Sequence, residues 1–199
     1  MKNVWERWVP RTEDYWGTFA SPFRRLITDV VDKSTPPGGS VMDFGCGAGV
    51  QTFLIRQRRP DLTIHAVDCN QQARNLTQIL MFNDPRLIVE PTPVSSEDVP
   101  TVDTILSTFT STYLHLHELD KILTVFLKKT QTLIFTEPTS TEDVVEEYAG
   151  MPCGGYRYPY GHWLRRLGWT VEETPIDGEG GLNMMTVAKR PEGGLARLS

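Results

Sequence analysis

Two hydrophobic periodicities alternate along residues 21–190 of the chain. Short apolar runs typical of buried strands are separated by segments whose apolar residues recur at helical spacing. The predicted strands are SVMDF, LTIHAVD, RLIVE, TVDTILST, QTLIFTE, WTVEET and LNMMTVAKR. The predicted helices are PFRRLITDVVDKS, VQTFLIRQRR, NQQARNLTQILMF, ELDKILTVFLKK, TEDVVEEYA and GHWLRRLG.

Capping residues mark several of the helix ends. Ser21 and Asn70 are placed to cap the first and third helices, and Gly168 to end the last one. Ser140, with Asp143 three residues later, has the spacing of a capping box before TEDVVEEYA. Strands that alternate with helices imply right-handed crossovers and a parallel sheet covered on both faces. We therefore predict a Rossmann-like, doubly wound α/β fold with a mostly parallel seven-stranded sheet and a C-terminal antiparallel hairpin.

Length and composition set the domain organisation. The 199 residues suffice for one domain with a sizeable core. We predict an N-terminal lid or arm over residues 1–20, rich in tryptophan and charge, a single domain over 21–190, and a flexible tail over 191–199. The start of the chain has no apolar segment of a signal peptide, and no apolar run is long enough for a membrane span.

Charge and cysteine content narrow the functional classes. A net charge of −5 argues against a generally basic nucleic-acid-binding surface. Three sparse cysteines, two of them just after predicted strands, favour a reducing compartment over a disulfide framework. We therefore expect a cytoplasmic protein that does not bind membranes.

The sequence SVMDFGCGAGV is the strongest local signal of a binding site. Gly45, Gly47 and Gly49 leave the first strand and lead into a helix, so a ligand can lie against bare backbone. A dinucleotide fingerprint would need a further glycine where Val50 stands, and a P-loop would need a lysine at the helix start. The spacing instead sets a carboxylate, Asp43, just before the glycines.

VMDFGCGAG resembles motif I of the class I S-adenosylmethionine-dependent methyltransferases. The resemblance implies that Asp43 holds the ammonium group of S-adenosylmethionine, directly or through water. It also implies that Asp68, at the end of the second strand, matches motif II and accepts the ribose hydroxyls. The implied cofactor-binding residues are Asp43, Phe44, Gly45, Cys46, Gly47, Gly49, Asp68, Cys69, Asn70, Ser95, Ser96 and Thr108.

The sequence departs from the family pattern at two places. The usual acidic residue after the third strand is replaced in PVSSEDVP, where Ser95 and Ser96 fall, so that the adenine contact is in doubt. The turn PGG before the fifth strand is absent from KKTQT, which alters a turn without touching the chemistry.

Residues after the fourth and fifth strands are expected to line the acceptor site, because ligands bind outside the carboxyl ends of such strands. Methyl transfer mainly needs alignment, a dry pocket and sometimes a base. The candidate catalytic bases are His115, His117, His162 and Glu137. The first two histidines fit equally a polar loop that leads into a helix. The aromatic run YRYPYGHW around His162 fits a ligand pocket or a loop packed on the sheet.

The expected function is metal-independent methyl transfer from S-adenosylmethionine to an O-, N- or C-nucleophile of a small molecule. The motif of DNA amino-methyltransferases, the tetrad of ribose 2′-O enzymes and clustered metal ligands are all missing after the fourth strand. One alternative is an RNA methyltransferase, including cap methylation, which predicts a basic patch at Arg24, Arg25, Arg56, Arg58 and Arg59. A second alternative is a catalytically silent protein that binds S-adenosylmethionine.

Overall fold

The computed structural model describes residues 17–92, 98–140, 142–148, 155–176 and 183–191. The helices are α1 (Pro22–Ser34), α2 (Val50–Arg58), α3 (Gln71–Leu80), a 3₁₀ helix (Ser111–Tyr113), α4 (Leu116–Lys129) and α5 (Tyr160–Arg166). The strands are β1 (Ser40–Phe44), β2 (Thr63–Asp68), β3 (Leu87–Pro91), β4 (Thr104–Thr108), β5 (Thr132–Pro138), β6 (Glu146–Tyr148), β7 (Gly155–Arg157), β8 (Thr170–Ile176) and β9 (Asn183–Lys189).

Seven strands form one sheet in the order β3-β2-β1-β4-β5-β9-β8. β1, β2 and β3 pair in parallel, whereas β9 pairs antiparallel with both β5 and β8. This order confirms the predicted Rossmann-like α/β fold with a mostly parallel seven-stranded sheet and a C-terminal antiparallel hairpin. β6 and β7 form a separate two-stranded sheet.

The chain divides into two compact units, residues 1–104 and 105–199. In the first unit, β1 lies in the core. Its own side chains Val41 and Met42 are fully buried, as are Ile64 on β2 and Ile27 on α1. Such continuous burial is the mark of a strand covered on both faces. The parallel register pairs Asp43 with Ala66, so the carboxyl ends of β1 and β2 lie at the same edge.

In the second unit, α5 packs on the sheet that β5, β9 and β8 form. The rings of Tyr160 and Phe135 stack with centroids 4.5 Å apart, and both side chains are fully buried with Leu164. An offset aromatic stack of this kind contributes beyond the area that it buries. At least one tyrosine of the aromatic run YRYPYGHW, Tyr160, therefore belongs to the hydrophobic core.

The structure contradicts the predicted helix over TEDVVEEYA. Residues 142–144 bend, and Glu146–Tyr148 forms β6, which pairs antiparallel with β7. The Ser140 hydroxyl accepts a hydrogen bond from the backbone N–H of Glu142 at 3.3 Å, which makes a local turn in place of a helix cap. The adjacent β-branched pair VV and the available partner strand favour extended backbone here.

Helix ends elsewhere follow the prediction with one exception. Asn70 caps α3, because its side chain accepts hydrogen bonds from Gln72 N and Ala73 N. Gly168, just after α5, adopts a φ of 82°, as expected of a glycine that ends a helix. Ser21 precedes α1 but makes no capping hydrogen bond from its side chain within the described residues.

Several predicted features lie outside the described residues. These are most of the N-terminal lid or arm, the turn between β8 and β9, most of the tail, and the candidate contacts Ser95 and Ser96. The three-part domain division stays a prediction. Within the described ranges, no helix is both long and apolar enough to cross a membrane.

Candidate functional site

The glycine turn after β1 is built from backbone that other residues adopt only with strain. Gly45, Gly47 and Gly49 have φ angles of 78°, 55° and 78°, all in the left-handed region. The N–H groups of Gly45 and Cys46 both donate to the carbonyl oxygen of Val67, at 2.7 and 3.0 Å. These bonds tie the turn to the end of β2 and bring two predicted motifs together.

Asp68 joins the end of β2 to this turn. Its Oδ2 accepts a hydrogen bond from the N–H of Gly47 at 2.9 Å, and its Oδ1 accepts one from the N–H of Asn70 at 2.8 Å. Burial raises the pKa of Asp68, while these backbone donors act in the opposite direction. These bonds fix the orientation of a carboxylate whose two oxygens are acceptors, as binding to two neighbouring hydroxyls would require.

Asp43 is only 1% exposed at the end of β1. Its Oδ2 accepts a hydrogen bond from the Thr52 hydroxyl at 2.6 Å. Burial raises the pKa of Asp43 to about 6, against the opposing effects of this hydrogen bond and of the charge on Arg24. The charge on Asp68 also raises the pKa of Asp43, so the two carboxylates lie near each other.

Two threonines support the site, and the sequence analysis missed both. Thr52 lies in the first turn of α2 and holds Asp43, as described above. Thr77 lies on α3, is fully buried, and donates its hydroxyl to the carbonyl oxygen of Gly47 at 3.1 Å. Neither position carries a sequence signal, because a buried threonine looks the same as any other helical threonine until its neighbours are known.

The remaining predicted cofactor contacts differ in accessibility. Phe44 and Cys46 are buried, and burial raises the pKa of the Cys46 thiol well above its usual value. The thiol of half-buried Cys69 hydrogen-bonds Asp68, and Asn70 is occupied as the cap of α3. Thr108 lies in the second unit, where its buried hydroxyl has no hydrogen-bond partner within the described residues.

The residues of the first unit fit S-adenosylmethionine. A turn of bare backbone lies between two carboxylates, one suited to an ammonium group and one to a pair of ribose hydroxyls. The second of these, Asp68, is already oriented by two backbone N–H groups and the first, Asp43, by a hydroxyl. Ligand groups therefore meet acceptors whose positions are fixed before binding.

Glu137, a candidate base, lies in the second unit and is completely buried. Its Oε1 accepts hydrogen bonds of 2.8 to 3.0 Å from four donors, and its Oε2 accepts one of 3.3 Å from Thr112 N. The four donors to Oε1 are the Ser107 hydroxyl, Thr110 N, Ser111 N and the Ser111 hydroxyl. Burial raises the pKa of Glu137, and the hydrogen bonds oppose this effect. The carboxylate thus organises the segment after β4, in which Phe109 adopts a φ of 49°.

The three candidate histidines occupy different environments in the second unit. His115 is half-buried, and its Nδ1 lies 3.0 Å from the hydroxyl of Tyr156. The ring of exposed His117 stacks on that of His115 with centroids 5.9 Å apart. His162 is exposed at the start of α5. Of the three, His115 is the half-buried one, and its ring lies within hydrogen-bonding distance of a tyrosine hydroxyl in the described part of the chain.

The arginines proposed as an RNA-binding patch are largely engaged with carboxylates. Arg56 lies 2.5 Å from Asp84, Arg58 2.9 Å from Asp32, and Arg59 2.8 Å from Asp61. Arg25, by contrast, is exposed. Much of the positive charge of this surface is therefore balanced within the protein.

The first unit matches a known protein family. Residues 24–107 match the family described as "Methyltransferase small domain". A ribosomal protein L11 methyltransferase from Paraburkholderia xenovorans is 34% identical over 58 residues, which cover 29% of this chain and 19% of that protein. A ribosomal RNA small subunit methyltransferase C from Shewanella pealeana is 51% identical over 35 residues, which cover 18% of this chain and 10% of that protein. The matches thus span about a fifth or less of these relatives' length.

Solved structures share the fold over most of the chain. Magnesium protoporphyrin IX methyltransferase from Synechocystis PCC 6803, with bound SAH, has a TM-score of 0.69 at 12% identity and covers 92% of this chain and 89% of its own. An O-methyltransferase family protein from Burkholderia thailandensis has a TM-score of 0.63 at 16% identity and covers 90% of this chain and 63% of its own. At such low identity the likeness concerns the fold alone.

The comparisons contradict one expectation and confirm another. The curated relatives are named for ribosomal protein L11 and for ribosomal RNA, so the expected small-molecule acceptor, with nucleic acid disfavoured, is wrong. Net charge and the sequence after β4 were weak guides, because acceptor recognition depends on surfaces that neither describes. The family match over residues 24–107 and the fold shared with solved methyltransferases confirm the resemblance to the class I S-adenosylmethionine-dependent methyltransferases.

Proposed function

We propose that this protein transfers a methyl group from S-adenosylmethionine to a macromolecule, and that the acceptor is a polypeptide. The observation that carries the methyl-transfer proposal is the turn of left-handed glycines held between the carboxylates of Asp43 and Asp68. The names of the curated relatives support a macromolecular acceptor, and those for ribosomal protein L11 support a polypeptide.

Each cofactor-binding role belongs to a residue of the first unit. Asp68 accepts the ribose hydroxyls through its carboxylate oxygens, and Asp43, when ionised, binds the ammonium group. Gly45, Gly47 and Gly49 leave room for the ligand beside the backbone. S-adenosylmethionine supplies a sulfonium-bound methyl group that is already activated for in-line displacement, so the protein mainly provides alignment and exclusion of water.

The distribution of charge favours a polypeptide over RNA. RNA binding needs arginines and lysines that are free to neutralise phosphates. Arg56, Arg58 and Arg59 instead form ion pairs with aspartates. A surface whose arginines are already paired suits an acceptor of neutral or positive charge better than a chain of phosphates.

His115 is the side chain best suited to remove a proton from the acceptor. The Tyr156 hydroxyl lies 3.0 Å from Nδ1, orients the ring and leaves Nε2 for the acceptor. Glu137 is a positioning residue in this proposal, because its oxygens are fully buried and already hold the segment after β4. His117 and His162 are assigned no proton transfer. The reaction needs no metal ion in this scheme, and we place the enzyme in the cytoplasm.

The proposal is tested by following the label from S-adenosyl-[methyl-³H]methionine. The 199-residue protein is incubated separately with total ribosomal protein and with ribosomal RNA extracted from the same bacterial ribosomes. We expect acid-precipitable label in the protein fraction that survives ribonuclease and is lost on proteinase treatment. Asp68→Ala is the matched control, because it should weaken cofactor binding and so reduce transfer when S-adenosylmethionine is supplied well below saturation.

The other outcomes separate the alternatives. Label that appears only in RNA, and is lost on ribonuclease treatment, would establish the RNA methyltransferase instead. Tight binding of S-adenosylmethionine without release of S-adenosylhomocysteine in the presence of either fraction would point to the catalytically silent protein.

A further inference from the structure

Thr77 on α3 packs against the glycine turn. Its side chain is completely buried, and its hydroxyl donates to the carbonyl oxygen of Gly47 at 3.1 Å. Helical threonines commonly donate instead to the carbonyl oxygen four residues earlier in their own helix. Thr77 thus directs its one donor out of α3 and into the turn.

Contact between Thr77 and the turn extends beyond this hydrogen bond. A Cβ atom added to Gly49 would lie 2.8 Å from Thr77 Oγ1 and 3.1 Å from Thr77 Cα. The Cys46 sulfur lies 3.8 Å from the same hydroxyl. Three positions of the turn, Cys46, Gly47 and Gly49, therefore lie against this one side chain.

Gly47 is held at both of its backbone polar groups. Thr77 holds its carbonyl oxygen, while Asp68 holds its N–H at 2.9 Å. A glycine at a φ of 55° has many other conformations available, so an unsupported turn would lose entropy on binding a ligand. Two fixed hydrogen bonds remove that freedom before the ligand arrives.

We propose that Thr77 is a positioning residue for S-adenosylmethionine, and that its hydroxyl keeps the Gly47 peptide in the orientation that the cofactor requires. The hydroxyl acts through Gly47 and does not need to touch the ligand. This inference rests on the cofactor site proposed for the first unit, and it adds a residue that motif I and motif II do not contain.

The test compares variants that separate the hydroxyl from the shape of the side chain. Thr77→Val keeps the shape and loses the donor, whereas Thr77→Ser keeps the donor and loses a methyl group. Thr35→Val is the control for a buried threonine in general: Thr35 is 4% exposed and its hydroxyl lies 2.9 Å from that of Thr104, in a different part of the first unit. Affinity for S-adenosylhomocysteine is measured by calorimetry well below the melting temperature of each variant.

Loss of one neutral hydrogen bond predicts an affinity about 3- to 10-fold weaker for Thr77→Val. We expect Thr77→Ser to stay within about 2-fold of the unmodified protein, and Thr35→Val to lower the melting temperature without changing affinity. A purely structural role for Thr77 predicts instead that both valine variants melt earlier and both bind normally. That result would overturn the inference.

A second pair of variants covers a Thr77→Val protein that does not fold. Thr77→Ala and Thr77→Ser both remove the methyl group, so the ratio of their affinities reports the hydroxyl alone. Equal affinities would refute the positioning role. Failure of the unmodified protein to bind S-adenosylhomocysteine would refute the cofactor site itself, and with it this inference, whereas normal binding by every variant refutes only the inference.

Discussion

The hydroxyl of Thr52 lies 2.6 Å from Oδ2 of Asp43, and both side chains are almost completely removed from solvent. The pair joins the start of α2 to the end of β1, directly beside the glycine turn. Two opposing influences act on the protonation state of the Asp43 carboxyl group in this place. Burial favours its neutral form, whereas binding of an ammonium group favours its charged form.

The buried Asp43 should make both stability and cofactor binding depend on pH. Its pKa of about 6 in the folded protein exceeds the usual value of 3.8, so its protonation favours folding. The stabilisation is fully present below about pH 4 and is lost as the pH rises through 6, at a cost of about 3 kcal/mol. Urea unfolding between pH 4 and 7 should show this loss in the unmodified protein relative to Asp43→Asn.

Cofactor affinity should change with pH in the opposite direction. The ammonium group needs an ionised partner, so binding of S-adenosylmethionine should tighten as the pH rises from about 5 to about 7. Asp43→Asn should bind more weakly and with a flat profile over this range. The same pH profile in both proteins would show that Asp43 does not meet the ammonium group.

Removal of the Asp68 carboxylate should weaken cofactor binding. Asp68→Ala should cost roughly 1.5–3 kcal/mol of binding free energy, as for a charged hydrogen-bonding group, when measured by calorimetry with S-adenosylmethionine. Asp61→Ala is the matched control. Asp61 lies just before the start of β2, and its carboxylate also accepts a hydrogen bond from a backbone N–H, that of Gly38 at 2.7 Å. Unchanged affinity in Asp68→Ala, or an equal loss in both variants, would contradict the ribose placement.

The glycine turn should tolerate a side chain less well than another left-handed glycine of the same unit. Gly38 has a φ of 68° and open space where a Cβ would lie, whereas Gly49 has a φ of 78° and meets Thr77. Gly38→Ala should therefore cost about 1–2 kcal/mol of unfolding free energy from backbone strain alone. Gly49→Ala should cost about 1–3 kcal/mol more, because the contact adds overpacking to the strain. Equal losses of unfolding free energy in the two variants, measured by urea unfolding, would show that α3 moves away from an added methyl group at no cost.

Replacement of Glu137 by its uncharged isostere should destabilise the second unit. Glu137→Gln places an NH₂ group among N–H and O–H donors that now share one acceptor oxygen, and we expect a loss of about 2–4 kcal/mol. Glu173→Gln is the surface control: Glu173 lies 2.6 Å from Arg165, in an ion pair that solvent reaches, and its loss should cost less than about 1 kcal/mol. Thermal unfolding compares the stabilities of the two variants. Similar melting temperatures would show that Glu137 does not stabilise the second unit.

Much of the fold could be predicted from the sequence, because the spacing of apolar residues distinguishes most of its strands from its helices. The strand SVMDF and the helix that Asn70 caps appear at the predicted places. The segment TEDVVEEYA was predicted as a helix from its capping signal, whereas Glu146–Tyr148 within it forms a strand. The register with Gly155–Arg157 that makes the difference joins residues about ten positions apart, and local propensity carries no information about such a partner.

The sequence by itself predicted the cofactor, through its resemblance to motif I and motif II, and it placed two acidic residues beside the glycine turn, because a glycine-rich turn between two strand ends is recognisable from local spacing alone. Only the tertiary structure decided that Thr52 and Thr77 hold this turn and its carboxylate, and that Glu137 is enclosed by donors. The reason is physical: a glycine or an aspartate carries its chemistry in its own covalent structure. A buried hydroxyl or carboxylate takes its role from whichever groups the folded chain brings within hydrogen-bonding distance.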